Sequence, residues 1–192
     1  MTVWDEWGAL TRFLESARIA FARERNLWHA LELADREAVT INAPASEHGR
    51  YAVSLGQHIA AVDDEVTLHA SVLIHSYALT ESTICGLLGV SPRRTNGIED
   101  WATRALEANG RSWDSVQAGL PGAVEVAVVR NAFAHGTRTV DAQGAKRLQA
   151  VGTQVSAGQA VTLTYEELRE YRIRLRGILR YGGADPKVSS SK

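Results

Sequence analysis

Apolar residues recur at intervals of three and four residues over the first part of the chain. They form one stripe, which comprises Trp4, Trp7, Leu10, Leu14, Ala17, Phe21, Trp28 and Leu31. Such spacing places side chains on one face of an α-helix, and a face this apolar must be buried against other elements. The sequence therefore predicts a long helix from Trp4 to about Arg36 that requires partner helices.

Further helices are indicated by acidic or capping residues at their starts and by glycines near their ends. Their predicted ranges are about 64–88, 98–108 and 165–181. The valine-rich segment 123–135 has a composition that also suits a strand. Its length and the lack of strict alternation favour a buried helix, which Gly136 is placed to end.

Two segments have the composition of short strands. Residues Val39 to Ile41 form a possible extended piece before a loop that contains Pro44 and Gly49. The segment 147–164 has two β-prone runs around a turn at residues 156–158, which predicts a small hairpin. The expected fold is thus mainly α, a bundle of about five helices with a small β-hairpin before the last helix.

The length of 192 residues suits one domain, expected over residues 1–182, followed by a disordered tail over residues 183–192. The net charge of -1 excludes a uniformly basic nucleic-acid-binding protein. The single cysteine, Cys85, allows neither an intrachain disulfide nor a cysteine-based metal site. No stretch reaches the roughly 18 apolar residues of a membrane span, and no leader is evident, so we expect a cytoplasmic protein without a membrane partner.

One charged residue interrupts the valine-rich helix. A cation within an apolar helix is costly unless its surroundings require it, which makes Arg130 conspicuous. Asn131 and His135 are four residues apart and share a helical face, while Arg130 lies about 100° from Asn131 and is long enough to reach both. The helix end thus combines a cation, an amide and an imidazole.

This combination suits RNA cleavage through the neighbouring 2'-hydroxyl. That reaction needs a base, an acid and positive charge on the phosphate. His135 can transfer protons, Arg130 can bind phosphate oxygens, and Asn131 can orient either group. Since one histidine serves poorly as both acid and base, a two-fold dimer that brings two copies of this helix end together would complete the site.

The segment Arg130-Asn131-Ala-Phe-Ala-His135 resembles the signature of the HEPN superfamily, an arginine, a polar residue, three to five further positions and a histidine. The resemblance implies a helical bundle, a homodimer and a metal-independent endoribonuclease with catalytic Arg130, Asn131 and His135 and no cofactor. It further implies a toxin or antiphage-defence component, with a possible antitoxin or defence partner protein. One subgroup has a tyrosine, modified by its partner, where this chain has Thr137.

Other charged residues are candidates for supporting roles. Glu81, in an apolar part of the second predicted helix, is a candidate ion-pair partner of Arg130. The last helix carries arginines at helical spacing that could bind RNA phosphates, or could instead form a solvated face paired with the local Glu166 and Glu167; they are Arg169, Arg172, Arg176 and Arg180. His69 and His75 are six residues apart and do not share a helical face, so no metal site is expected.

Two alternatives to the ribonuclease remain. One is a catalytically inactive HEPN-like dimerisation module that binds a nucleotide or a partner protein. The other is a helical adaptor in which Arg130 is structural and His135 is a satisfied residue at a helix end. Spacing alone does not decide between them, because Arg23 and His29 also match the loose motif, although Glu24 would oppose phosphate binding there.

Overall fold

The structure is a computed structural model that describes residues 2–30, 36–42 and 52–185. Within these residues it is mainly helical, which confirms the predicted class. The α-helices are α1 (Val3–His29), α2 (Leu55–Asp63), α3 (Glu65–Leu87), α4 (Ile98–Ala108), α5 (Gly119–Ala134), α6 (Ala142–Ala150) and α7 (Tyr165–Leu179). The other elements are the strands β1 (Thr40–Asn42) and β2 (Ala52–Ser54), 3-10 turns at Pro92–Arg94 and Trp113–Ser115, and a π-helical turn at Arg180–Ala184.

The long predicted helices are present, with different ends. Helix α1 ends at His29 rather than near Arg36; Arg36 lies in a turn, and Leu31 lies outside the described residues. Trp7 and Leu14 are the buried members of its apolar stripe. The valine-rich segment is helical, as predicted, in α5. No described helix is both long and apolar enough to cross a membrane.

The chain forms two compact units. One comprises residues 11–68 and contains the only sheet of the described residues, in which β1 pairs antiparallel with β2 so that Ile41 faces Val53. Ser54 then caps α2, because its side chain accepts from Gln57 N while the Gln57 side chain binds Ser54 N. The extended piece near residues 39–41 was thus predicted, whereas β2 and α2 were not. A single domain over residues 1–182 stays a prediction.

The other unit comprises residues 1–10 and 69–192 and contains the candidate site. Helix α5 is central in it and packs against α4, α6 and α7. Its residues Val124 and Val128 form an apolar cluster with Val140, Ala145 and Leu148. This cluster fixes α6, and the chain segment before it, against the second half of α5.

The hairpin predicted over residues 147–164 is wrong. The first part of that segment belongs to α6, whose N-cap is Asp141. Gln159 and Ala160 lie beside Thr139 and Val140, which precede α6, and do not pair with residues 147–155. The pairing is one isolated bridge between Thr139 and Ala160. Burial of Ala145 and Leu148 in the cluster on α5 explains the helix, because these residues share a face at helical spacing.

Helix α7 begins as predicted, with a capping box between Thr164 and Glu167. The predicted tail 183–192 is described only as far as residue 185. Residues 183 and 184 belong to the π-helical turn, and the carbonyl of Ala184 accepts a hydrogen bond of 3.3 Å from Trp4 Nε1. Residues 183 and 184 thus have a defined structure, contrary to the prediction, and the predicted tail beyond residue 185 lies outside the described residues.

Candidate active site

The C-terminal end of α5 carries the predicted motif. His135 is the C-cap of this helix, and its backbone N–H donates to the carbonyl of Asn131. Gly136 adopts a φ of 70° and its N–H donates to Phe133 O, while Thr137 N reaches back to Ala132 O. The left-handed glycine thus ends the helix as the sequence predicts, since residues with a Cβ reach this conformation at a cost.

Arg130 is partly buried and its guanidinium is held on two sides. Its Nη1 donates a 2.8 Å hydrogen bond to Asn131 Oδ1, and its Cζ lies 4.6 Å from the ring centroid of Tyr77. Tyr77 itself is buried and makes an edge contact with Trp101. The Nε atom of Arg130 is buried without a hydrogen-bond partner. The cation is therefore positioned by packing and by one amide, and several of its donors are unused.

Asn131 and His135 line one cavity of about 460 Å³. The remaining lining residues come from the second half of α5, the connection to α6 and α6 itself; they are Val128, Ala132, Thr137, Thr139, Asp141, Gln143, Gly144 and Arg147. His135 is exposed to solvent. The structure thus confirms the shared face of Asn131 and His135 and gives both access to the same space.

The motif arginine stands to one side of this cavity. Arg130 is not among the lining residues, and its link to the cavity is the hydrogen bond to Asn131. Because a guanidinium can only donate, this bond assigns Asn131 Oδ1 as an acceptor and leaves the Nδ2 amide group free to donate. Asn131 thus connects the cation to the cavity that His135 lines.

The arginine that does line the cavity, Arg147, was not predicted. Arg147 of α6 forms a bidentate ion pair with Glu99 of α4, with Nε and Nη2 each 2.8 Å from a carboxylate oxygen. Hydrogen bonding to Glu99 raises the pKa of Arg147 above its ordinary value. The two residues are 48 positions apart, so the sequence carries no local signal for this pair.

Burial and charge also act on Tyr77. Desolvation raises the pKa of its hydroxyl above the ordinary value, and the nearby Glu81 carboxylate raises it further, against the opposing effect of Arg130. Glu81 is partly buried on α3, one helical turn beyond Tyr77. The predicted ion pair between Glu81 and Arg130 is not formed among the described residues, since the guanidinium contacts Tyr77 and Asn131 instead. Glu81 acts here through its charge on Tyr77.

The predicted arginine track on α7 is wrong at Arg172. Arg172 is buried, and its guanidinium lies 4.8 Å from the Trp7 ring centroid and within 3.4 Å of Trp7 O. It lies on the face of Leu168 and Leu175, which are four residues before and three after it, and that spacing was a signal for burial.

The two later positions of the track are exposed and have contacts of their own. Arg176 lies 5.8 Å from the Trp4 ring centroid. Arg180 forms an ion pair of 3.5 Å with Asp185. The geometry therefore presents two exposed arginines, each beside a partner, rather than a continuous basic face.

The two histidines of α3, His69 and His75, each have a ring nitrogen within hydrogen-bond distance of a backbone carbonyl. His69 is buried with Nδ1 3.0 Å from Leu163 O, and His75 is exposed with Nδ1 2.9 Å from Ser71 O. No cluster of three or more histidine, cysteine, aspartate or glutamate side chains suited to a metal ion occurs in residues 2–30, 36–42 and 52–185.

Comparison of the chain with protein-family models, with curated proteins and with solved structures gave no match.

Proposed function

We propose that this chain is a metal-independent endoribonuclease of the HEPN type, a toxin or antiphage-defence component that cleaves RNA at a cleft shared by two copies. The observation that carries the proposal is the connected set at the end of α5. His135 is exposed in a cavity, Asn131 lines the same cavity, and Asn131 Oδ1 binds the partly buried guanidinium of Arg130.

The unused donors of Arg130 support a role in phosphate binding. A buried polar group without a partner costs free energy, and such groups call for an explanation. Arg130 Nε is one of them, and its burial helps to hold the guanidinium in place beside an exposed helix end. The Nη hydrogens that do not bind Asn131 could donate to a phosphate oxygen, and the guanidinium would stabilise the charge that develops on the phosphate during attack.

Proton transfer is assigned to His135. The imidazole lines the cavity and is exposed to solvent, so it can exchange a proton with a bound ribose or with water. One cavity contains one histidine, whereas the reaction needs an acid and a base. A two-fold dimer that joins two α5 ends would supply both, with Asn131 orienting Arg130 in each copy.

The first test is RNA cleavage by the purified chain in EDTA. We expect cutting of single-stranded RNA with cyclic-phosphate or 3'-phosphate ends. Loss of general acid–base help in His135→Ala should lower the rate by roughly 10²–10⁴-fold. The matched control is His75→Ala, an exposed histidine on α3 away from the cavity, which should cut like the wild type. Undiminished cutting by His135→Ala would contradict the assignment.

The polar cavity also suits a second candidate, an inactive HEPN-like module that binds a nucleotide or a partner protein. A cavity of about 460 Å³ lined by amides and hydroxyls can hold a small ligand without any chemistry. The ribonuclease and the inactive module predict different effects on the growth of cells that express the chain. Growth arrest on expression that disappears in a folded Arg130→Ala variant supports the ribonuclease, whereas expression without any growth effect supports the inactive module.

A further inference from the structure

The cavity beside His135 contains more polar groups than the proposed chemistry uses. Its volume of about 460 Å³ falls within the range of roughly 300–1,000 Å³ that is typical of small-ligand sites. Thr139 and Gln143 both line it, and no hydrogen bond from either side chain occurs within the described residues. These two groups remain available to a ligand.

The charges in the cavity are largely compensated. Arg147 is bound through Nε and Nη2 to Glu99, so the pair is neutral overall, and the two Nη1 hydrogens and the second Nη2 hydrogen remain for a ligand. Asp141 is the N-cap of α6 and its carboxylate accepts from Gly144 N. Compensated charges disfavour an isolated anion as the ligand, because no net positive charge would stabilise it. A neutral ligand with several donors and acceptors fits better.

The chemistry of the lining suits a ligand that has both apolar faces and a polar edge. Val128, Ala132 and Gly144 contribute an apolar wall, while the amides of Asn131 and Gln143 can both donate and accept. A nucleobase has apolar ring faces and an edge that carries donors and acceptors. Proteins that recognise single-stranded RNA bind unstacked bases partly through hydrogen bonds to the base edges, for which this cavity supplies amide and hydroxyl groups.

We propose that this cavity binds one unstacked nucleoside of the RNA next to the phosphate on which His135 acts, and that Thr139 and Gln143 bind the edge of its base. The choice of RNA as the source of the nucleoside rests on the proposed function. The inference adds to that function a preference for one base at the cleavage site.

The test measures equilibrium binding and so does not depend on cleavage. Eight ligands are titrated into the full chain. They are the four nucleoside 3'-monophosphates and four trinucleotides that differ in their central base and carry 2'-O-methyl groups to prevent cutting. One base should bind about fivefold more tightly than the others or better, the lower end expected for a specific base contact. The double variant Thr139→Val/Gln143→Ala should remove this difference.

A matched control replaces the same residue types outside the cavity. Gln154 and Thr162 are exposed and do not line it, so Thr162→Val/Gln154→Ala should keep the wild-type preference. Absence of saturable binding by all eight ligands would overturn the proposal, as would a preference that the cavity variant leaves unchanged. Binding of a monophosphate but not of the trinucleotide with the same central base would overturn RNA as the source.

The binding results separate this inference from the proposed function. Base-specific binding of the trinucleotide without any RNA cleavage would retain the nucleoside site and contradict the ribonuclease. Cleavage that depends on His135, with no base preference and no nucleotide binding, would retain the ribonuclease and contradict the nucleoside site.

Discussion

The contact between Arg130 and Tyr77 supports a quantitative prediction. The guanidinium carbon lies 4.6 Å from the ring centroid, and the tyrosine is only 4% exposed. Cation–π contacts contribute about 0.5–1 kcal/mol at exposed sites and about 2 kcal/mol when desolvated. Because Tyr77 is buried and Arg130 partly so, we expect a coupling free energy of about 1–2 kcal/mol between the two side chains.

A double-mutant cycle measures this coupling. The free energy of unfolding in urea is determined for the wild type, Tyr77→Leu, Arg130→Met and the double variant. Tyr77→Leu also removes the edge contact with Trp101, but this loss occurs in both arginine backgrounds and cancels. The cost of Arg130→Met should therefore be about 1–2 kcal/mol smaller when residue 77 is leucine.

The control for the ring is Tyr77→Phe, which keeps the aromatic face and removes the hydroxyl. In that background Arg130→Met should cost nearly as much as in the wild type. A coupling below about 0.5 kcal/mol, within the scatter of independent sites, would mean that Tyr77 does not position the cation. If Tyr77→Phe and Tyr77→Leu gave the same coupling free energy with Arg130→Met, the contact could not be one between the guanidinium and the aromatic ring.

Three further predictions concern stability. Gly136→Ala should lower the free energy of unfolding by about 1–2 kcal/mol, because φ is 70° at this position; an unchanged urea midpoint would count against the helix-end geometry. Thr164→Ala should cost about 1 kcal/mol through loss of the α7 cap, whereas Thr162→Val, outside the cap, should cost little in the same urea titration. The raised pKa of Tyr77 makes the stability of the fold depend on pH. The contribution of its protonated hydroxyl to the free energy of unfolding is fully present below the pKa of about 10 in the unfolded chain, and it is lost as the pH rises toward the higher pKa in the folded chain. Unfolding free energies measured above pH 10 should thus decline less steeply in Tyr77→Phe than in the wild type, and equal slopes would argue against this burial effect.

Local patterns predicted much of the fold. Apolar spacing located α1, α3 and α7, and local capping chemistry located the start of α7 and the end of α5. The pairing of Arg130 with Asn131 is also local, since the two residues are adjacent and the amide lies within reach of the guanidinium. These features depend on interactions over a few residues, which a single sequence displays directly.

The parts that the sequence did not predict depend on contacts between distant segments. Arg147 reaches the cavity because α6 packs on α5, where a Cβ at Gly144 would lie only 2.9 Å from Val128 Cγ1. That close approach explains why a glycine stands inside a helix, whereas glycine normally argues against helix. The β-prone composition of residues 147–164 led to the prediction of a hairpin. That prediction is wrong because tertiary packing outweighed local β-propensity in this segment.

The site itself was predicted only as a set of residues. Arg130, Asn131 and His135 are adjacent as expected, but which of them line the cavity follows from the rotation of α5 against α4 and α6. The contact between Arg130 and Tyr77 joins α5 to α3, which no local pattern indicates. The partial burial of Arg130 was foreseeable from its apolar neighbours, whereas its packing partner was not.

The central claim is that two copies of the α5 end form one RNA-cleaving site. The most direct test is the initial rate of RNA cleavage in EDTA, measured over a series of protein concentrations that spans the monomer–dimer transition. We expect the rate per chain to rise with protein concentration and to reach a plateau once the dimer predominates, in step with the dimer fraction from sedimentation. A constant rate per chain while the protein is monomeric would contradict the shared site, and no cleavage at any concentration would contradict the ribonuclease.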